Sequence, residues 1–124
     1  MHLVMLNTRG EIVEDRFLQQ LKKGVLEMLV LHTICEKDTY GYELMAKLKE
    51  RSRELFALKE GTLYPILYRL EDEGLIASAW SAGEGKVAPK KMYAATEKGR
   101  TEDARRFRVW ETFSQTVNGF MQED

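Results

Sequence analysis

Residues 59–76 read Lys59-Glu-Gly-Thr-Leu-Tyr-Pro-Ile-Leu-Tyr-Arg-Leu-Glu-Asp-Glu-Gly-Leu-Ile76. Leu63, Ile66, Leu67 and Leu70 recur at the spacing of one face of an α-helix. Proline lacks an N–H and its ring clashes with the carbonyl four residues back. The pattern therefore puts Pro65 in the first turn and the helix start near Glu60 to Thr62. Gly74 is placed to stop the helix as a left-handed cap, with Leu75 and Ile76 beyond it. Thr62, Tyr64, Tyr68 and Arg69 fall off the apolar face, beside Lys59 and Gly61. A helix start bearing tyrosines, a hydroxyl and cations is dressed for a polar partner.

Working upstream, a second helical pattern runs from about Glu14 to Glu36, with Phe17, Leu18, Leu21, Val25, Met28, Leu29 and Ile34 in period. Its later half is apolar on most sides, which predicts a central, buried helix. Gly24 costs about 1 kcal/mol against alanine in a helix and predicts a close approach by another helix. In these surroundings His32 reads as a hydrogen-bonded core histidine and Cys35 as a small buried hydrophobe. A turn at Lys37-Asp38-Thr39 leads to a helix from Tyr40 or Gly41 to Arg51, with Leu44, Met45 and Leu48 inward, and Ser52 to Leu58 reads as loop. Residues 1–16 carry no usable period and are read as an N-terminal arm of uncertain structure.

Downstream of Gly74 the period changes to two. Ile76, Ser78 and Trp80 alternate with Ala77 and Ala79, and Met92-Tyr-Ala-Ala forms a second short run across a turn-rich segment. Together they predict a β-hairpin with a long tip, in which Trp80 serves as a hydrophobic plug. Thr96 has the character of a helix N-cap, with Glu97 in the first turn where the helix dipole favours acid. The last helix extends from about Glu97 to Phe120 or Met121. Its apolar stripe is Ala104, Phe107, Trp110, Phe113, Val117, Phe120 and Met121. Some 24 residues at 1.5 Å each span roughly 36 Å, longer than so small a domain, so the rest of the chain cannot cover the stripe. A second copy of the same helix is the natural partner, which predicts a homodimer.

Composition narrows the function. At 124 residues, 44% hydrophobic and 31% charged, the chain suits one globular domain. No window reaches the ~20 apolar residues of a membrane span, no signal-peptide layout opens the chain, and a lone cysteine suits a reducing compartment. The expectation is a cytoplasmic protein. Zinc-ligand spacing, phosphate loops and local nucleophile signatures are all missing, so the sequence reads as non-enzymatic, with no cofactor. The net charge of −1 conceals an asymmetry: Lys86 to Arg108 holds eight basic residues against three acids, +5, leaving −6 elsewhere. A local basic stripe is what phosphate binding requires.

Three helices and a two-stranded hairpin, followed by one long helix, describe a mainly α fold: a winged helix-turn-helix with a C-terminal dimerisation helix. The division is an arm over 1–16, a DNA-binding domain over 17–96 and a dimerisation helix over 97–124. In such modules the start of the third helix meets base edges and the hairpin meets the backbone. Here those residues are Lys59, Gly61, Thr62, Tyr64 and Tyr68 on the helix, and Lys86, Lys90 and Lys91 on the wing. Two heads would read half-sites of a palindromic operator in double-stranded DNA, roughly 34–36 Å apart. A winged-helix module that uses its tyrosines to hold a protein, without DNA, is the competing reading.

Five blocks of this chain carry a resemblance: Leu21-Lys-Lys-Gly-Val-Leu, Tyr40-Gly-Tyr-Glu-Leu, Gly61-Thr-Leu-Tyr-Pro-Ile-Leu-Tyr-Arg-Leu-Glu, Gly74-Leu-Ile and Tyr93-Ala-Ala-Thr-Glu-Lys-Gly-Arg. In order and spacing they resemble the PadR family of transcriptional regulators, in its short branch with one C-terminal helix. The resemblance implies a dimeric repressor whose last helix swaps against its partner's first. It also implies operator binding by the third helix, the wing and Tyr40 at the start of the second helix. Ala94-Ala95 and a proline-bearing wing depart from the family pattern. Several short members bind drugs or aromatic acids beside a tryptophan on the last helix. Trp110, with Phe107 one turn earlier, matches that place, as an effector platform or as dimer packing.

Overall fold

Asp15 caps the first helix, its carboxylate accepting the Leu18 N–H at 2.8 Å. The computed structural model describes residues 15–83 and 85–122; most of the expected N-terminal arm lies outside them. The order is α1 (Arg16–Glu36), β1 (Thr39–Tyr40), α2 (Gly41–Arg51), α3 (Glu60–Asp72), β2 (Ile76–Trp80), β3 (Lys91–Ala95) and α4 (Glu97–Gln122). This is a winged helix-turn-helix followed by a single long helix.

The core lies where three helices meet the sheet. Val30, Leu31 and Ile34 of α1 pack with Leu44 and Leu48 of α2, Phe56 of the connecting loop, and Leu63, Ile66, Leu67 and Leu70 of α3. Leu75, Ile76 and Tyr93 close the sheet side. Each fully buried side chain of this size contributes about 1.5–3 kcal/mol. Arg53 and Glu54 adopt left-handed backbone angles (φ 52° and 71°) in the loop between α2 and α3. Gly74 (φ 77°) stops α3 as its sequence position predicts.

The wing is a three-stranded antiparallel sheet in the order β1-β3-β2, not a two-stranded hairpin. Thr39, expected in a turn, pairs with Tyr93, and Tyr40 pairs with Met92. Two residues show no period in a sequence, so the third strand has no local signature. Pro65 also lies deeper than expected: α3 begins at Glu60, which puts the proline beyond the first turn and leaves the Gly61 carbonyl without its helical donor.

Other expectations fail at the surface. Among the described residues, Gly24 has nothing within 4 Å of where a Cβ would sit, so no other described helix packs against it there. His32 is hydrogen-bonded but not in the core: its Nδ1 lies 3.0 Å from an Asp103 carboxylate oxygen, tying α1 to α4 on an exposed face. Cys35 is only partly buried, against the Gly99 carbonyl, and burial foremost pushes its thiol up to about 11. Trp80 plugs nothing; it is 67% exposed.

α4 is joined firmly to the head. Thr96 Oγ1 donates to the carbonyls of Gly74 (2.7 Å) and Leu75 (3.1 Å), and accepts from the Gly99 N–H at 3.0 Å, the cap its sequence predicts. A Cβ on Gly99 would collide with the Leu75 carbonyl oxygen, so the first turn of α4 lies directly on the chain leaving α3.

Candidate nucleic-acid interface

The α3 start is solvent-facing. Lys59, in extended conformation (φ −96°, ψ 160°), is the N-cap residue, and no side chain caps the first N–H groups. Gly61, Thr62, Tyr64 and Tyr68 are exposed, while the apolar face between them is buried. Tyr64 has a second duty: its hydroxyl oxygen lies 2.9 Å from the position a Cβ on Gly41 would occupy. The start of α3 thus rests on the start of α2, and Gly41 is small because Tyr64 passes there. Arg69 is committed elsewhere, 3.6 Å from Glu27 of α1.

Tyr40 stands at the N-terminus of α2, its N–H donating to the Glu43 carboxylate at 3.2 Å. Strand pairing brings the wing to it: Lys90 Nζ sits 5.5 Å from the centre of the Tyr40 ring. Lys91 Nζ lies 5.9 Å from the Trp80 ring centre and 5.8 Å from that of Tyr93. These are cation–π distances, and the ammonium groups remain near the surface. Ser81 closes the base of the tip, its N–H donating to the Lys90 carbonyl (2.7 Å) and its Oγ accepting the Lys90 N–H (2.9 Å). Lys86 is exposed further out on the tip.

The basic stripe read from the sequence divides in two. Arg105 and Arg106 both bind Glu102, at 2.8 and 2.7 Å, and the Arg105 hydrogen bond foremost holds the Glu102 carboxyl down to about 2. Lys98 donates to the Glu73 carbonyl and Arg100 to that of Ala95. None of the ion pairs among the described residues involves Lys59, Lys90 or Lys91. Lys98, Arg100, Arg105 and Arg106 of α4 serve the fold, whereas Lys59, Lys90 and Lys91 join no carboxylate among the described residues. Sequence spacing could not separate the groups, because the carboxylates that absorb the arginines are themselves in the stripe.

Phe107 and Trp110, the residues expected to hold an effector, lie on the open surface of α4, with the Trp110 and Phe113 rings 6.4 Å apart. A polar hollow lies nearer the head, lined by Glu73, Leu75, Glu97, Lys98, Thr101, Glu102 and Arg106. Trp80, set aside in the sequence, stands exposed beside Lys91 on the wing. Among the described residues no His, Cys, Asp or Glu group is arranged to hold a metal, and no helix is long and apolar enough to cross a membrane.

Comparison with known proteins agrees with this architecture. The model of the transcriptional regulator PadR-like family matches residues 30–105. A transcriptional regulator of Mycobacterium tuberculosis is 32% identical over 91 residues, covering 71% of this chain and 80% of that protein. The negative transcriptional regulator PadR of Bacillus subtilis is 31% identical over 78 residues, 63% of this chain and 42% of that protein. The crystal structure of a PadR-family regulator from Eggerthella lenta superposes with a TM-score of 0.77 at 30% identity, covering 87% of this chain and 91% of that one.

Proposed function

This chain belongs to the PadR-like family of transcriptional regulators, which are not enzymes, and on that premise we propose that it is a homodimeric, DNA-binding repressor. Residues 17–96 form the reading head and 97–124 the dimerisation helix. The observation that carries the DNA reading is that Lys59, Lys90 and Lys91 join no ion pair among the described residues and lie on elements that also present Tyr40, Thr62, Tyr64 and Tyr68. A duplex supplies phosphates for the former and groove edges for the latter. Lys86 extends the same charge along the wing.

Two bare apolar patches support the dimer. Phe113, Val117, Phe120 and Met121 are exposed on α4, and Phe17 and Leu21 on α1. Gly24 continues the Phe17–Leu21 face of α1, and its open space admits a close neighbour. A partner's α4 laid along this face covers both patches at once. Phe107 and Trp110 would then flank the dimer centre, where two sets of rings can sandwich a flat aromatic or drug-like effector. Such a molecule releases the operator only by its difference in affinity for the two head spacings.

The test is a gel shift against the DNA upstream of the coding region, at two salt concentrations. Each phosphate contact contributes about −0.9 to the slope of log affinity against log salt. Lys90→Ala with Lys91→Ala should weaken binding to every sequence and flatten that slope. A protein with no affinity for duplex DNA at low salt would instead be the tyrosine-based protein-binding module.

A further inference from the structure

The exposed indole of the wing carries a further step, resting on the DNA reading above. Trp80 ends β2, an edge strand, and a single exposed tryptophan would need no explanation. Its surroundings are what distinguish it. Ile76, Ser78 and Trp80 share one face of β2, and that face looks toward α3, because Ser78 Oγ donates to Glu71 at 2.8 Å. Glu71, Tyr68 and Tyr64 lie along one side of α3, with Tyr68 73% exposed. The indole therefore belongs to the cleft between the reading helix and the wing. Across the ladder it pairs with Lys91, whose ammonium rests on both the Trp80 and Tyr93 rings and joins no ion pair among the described residues.

We propose that Trp80 is a DNA-backbone contact: its exposed ring packs on a deoxyribose and, from the same position, steadies the Lys91 ammonium against the adjoining phosphate. A flat apolar surface beside an unneutralised cation matches the repeating sugar and phosphate of a duplex. A purely anionic partner would use the lysine and leave the indole without a role. Trp80 thus acts partly as a positioning residue, through Lys91, and partly by its own contact.

The experiment measures binding of a labelled random-sequence duplex to the full-length protein by anisotropy across a salt series, for the parent, Trp80→Ala, Trp80→Phe, Lys91→Ala and the double variant Trp80→Ala/Lys91→Ala. Trp80→Ala should weaken binding roughly tenfold and lower the salt slope by about 0.9, one phosphate. Lys91→Ala should lower the slope equally, and the double variant should lower it no further. Trp80→Phe, which keeps a ring under the ammonium, should restore the slope. Melting temperatures should stay together, because the indole is exposed. Parental affinity and slope in Trp80→Ala would overturn the proposal while leaving DNA binding intact. Equal slope losses in the Ala and Phe variants, accompanied by lowered melting temperatures, would also overturn it by making Trp80 a structural residue. Failure of the parent protein to bind the duplex at low salt would remove both the proposal and the reading beneath it.

Discussion

Helices α3 and α4 both carry an apolar stripe at three- and four-residue steps, yet their surroundings differ completely. Leu63, Ile66, Leu67 and Leu70 of α3 are at most 5% exposed, whereas Phe113 and Phe120 of α4 are 60% and 78% exposed. Composition does not explain this, since the stripe of α4 is the bulkier. The cause is what each helix has to lie against: α3 packs on α1 and is followed by strands that fold back over the core, while most of α4 runs beyond anything the described residues offer. The cation pattern follows the same division in part, with Arg105 and Arg106 paired on α4 and Lys90 and Lys91 of the wing in no ion pair among the described residues. The head buries its stripe within the chain, and the rod leaves its apolar surface exposed, where the proposed second copy would cover it.

The largest effect that could break this comparison is expected in the head. Leu67→Ala should cost about 2–5 kcal/mol of unfolding free energy, measured by denaturant titration, with a midpoint shift that persists across protein concentrations. A shift of only a few tenths would mean that the α3 core is less complete than its burial says. Gly99→Ala tests the joint between the two regions. The added methyl meets the Leu75 carbonyl, and overpacking of this kind costs about 1–3 kcal/mol, visible as a lower melting temperature. An unchanged melting temperature would mean that α4 is free to slide over the turn.

Glu102→Gln probes the root of the rod more gently. The Glu102 carboxyl is held down from its ordinary 4.5 to about 2 by its arginine partners. A depressed folded-state pKa contributes stability that is present above pH 4.5 and lost as pH falls toward 2. The exposed setting of Arg105 keeps the contribution within about 0.2–1 kcal/mol. The variant should therefore melt slightly lower at neutral pH and show a flatter decline across that acid window. Phe113→Ala sharpens the comparison by its small effect: in dilute protein its unfolding free energy should stay within about 0.5 kcal/mol of the parent. The proposed dimer should meanwhile dissociate at higher protein concentration in sedimentation experiments. A Phe113 variant that loses stability without any change in association would mean that the α4 stripe belongs to the head after all.

Most of the fold was legible because its elements announce themselves locally. The Leu63–Leu70 period, the Gly74 stop and the Thr96 cap each occupy the predicted place, since each depends on neighbours within a turn or two. What escaped depends on distant parts of the chain. β1 exists because Tyr93 and Met92 arrive beside Thr39 and Tyr40, and nothing in a Thr-Tyr pair foretells it. His32 looked like a core residue because its sequence neighbours are apolar, but its partner is Asp103 on α4. Gly24 reads as a contact, and among the described residues nothing lies within 4 Å of its Cβ position. Of the candidate site, the exposed α3 start could be read from the helix period. The sorting of cations into paired and unpaired could not, and Trp80 was misplaced because a period of two does not say where a core ends.

The Thr96 hydroxyl, held between the carbonyls after α3 and the first turn of α4, has a mechanical consequence. It fastens the root of α4 to the chain leaving α3. In the proposed dimer this joint would act as a crank, so a slight turn of one rod about another would swing both heads off a fixed groove spacing.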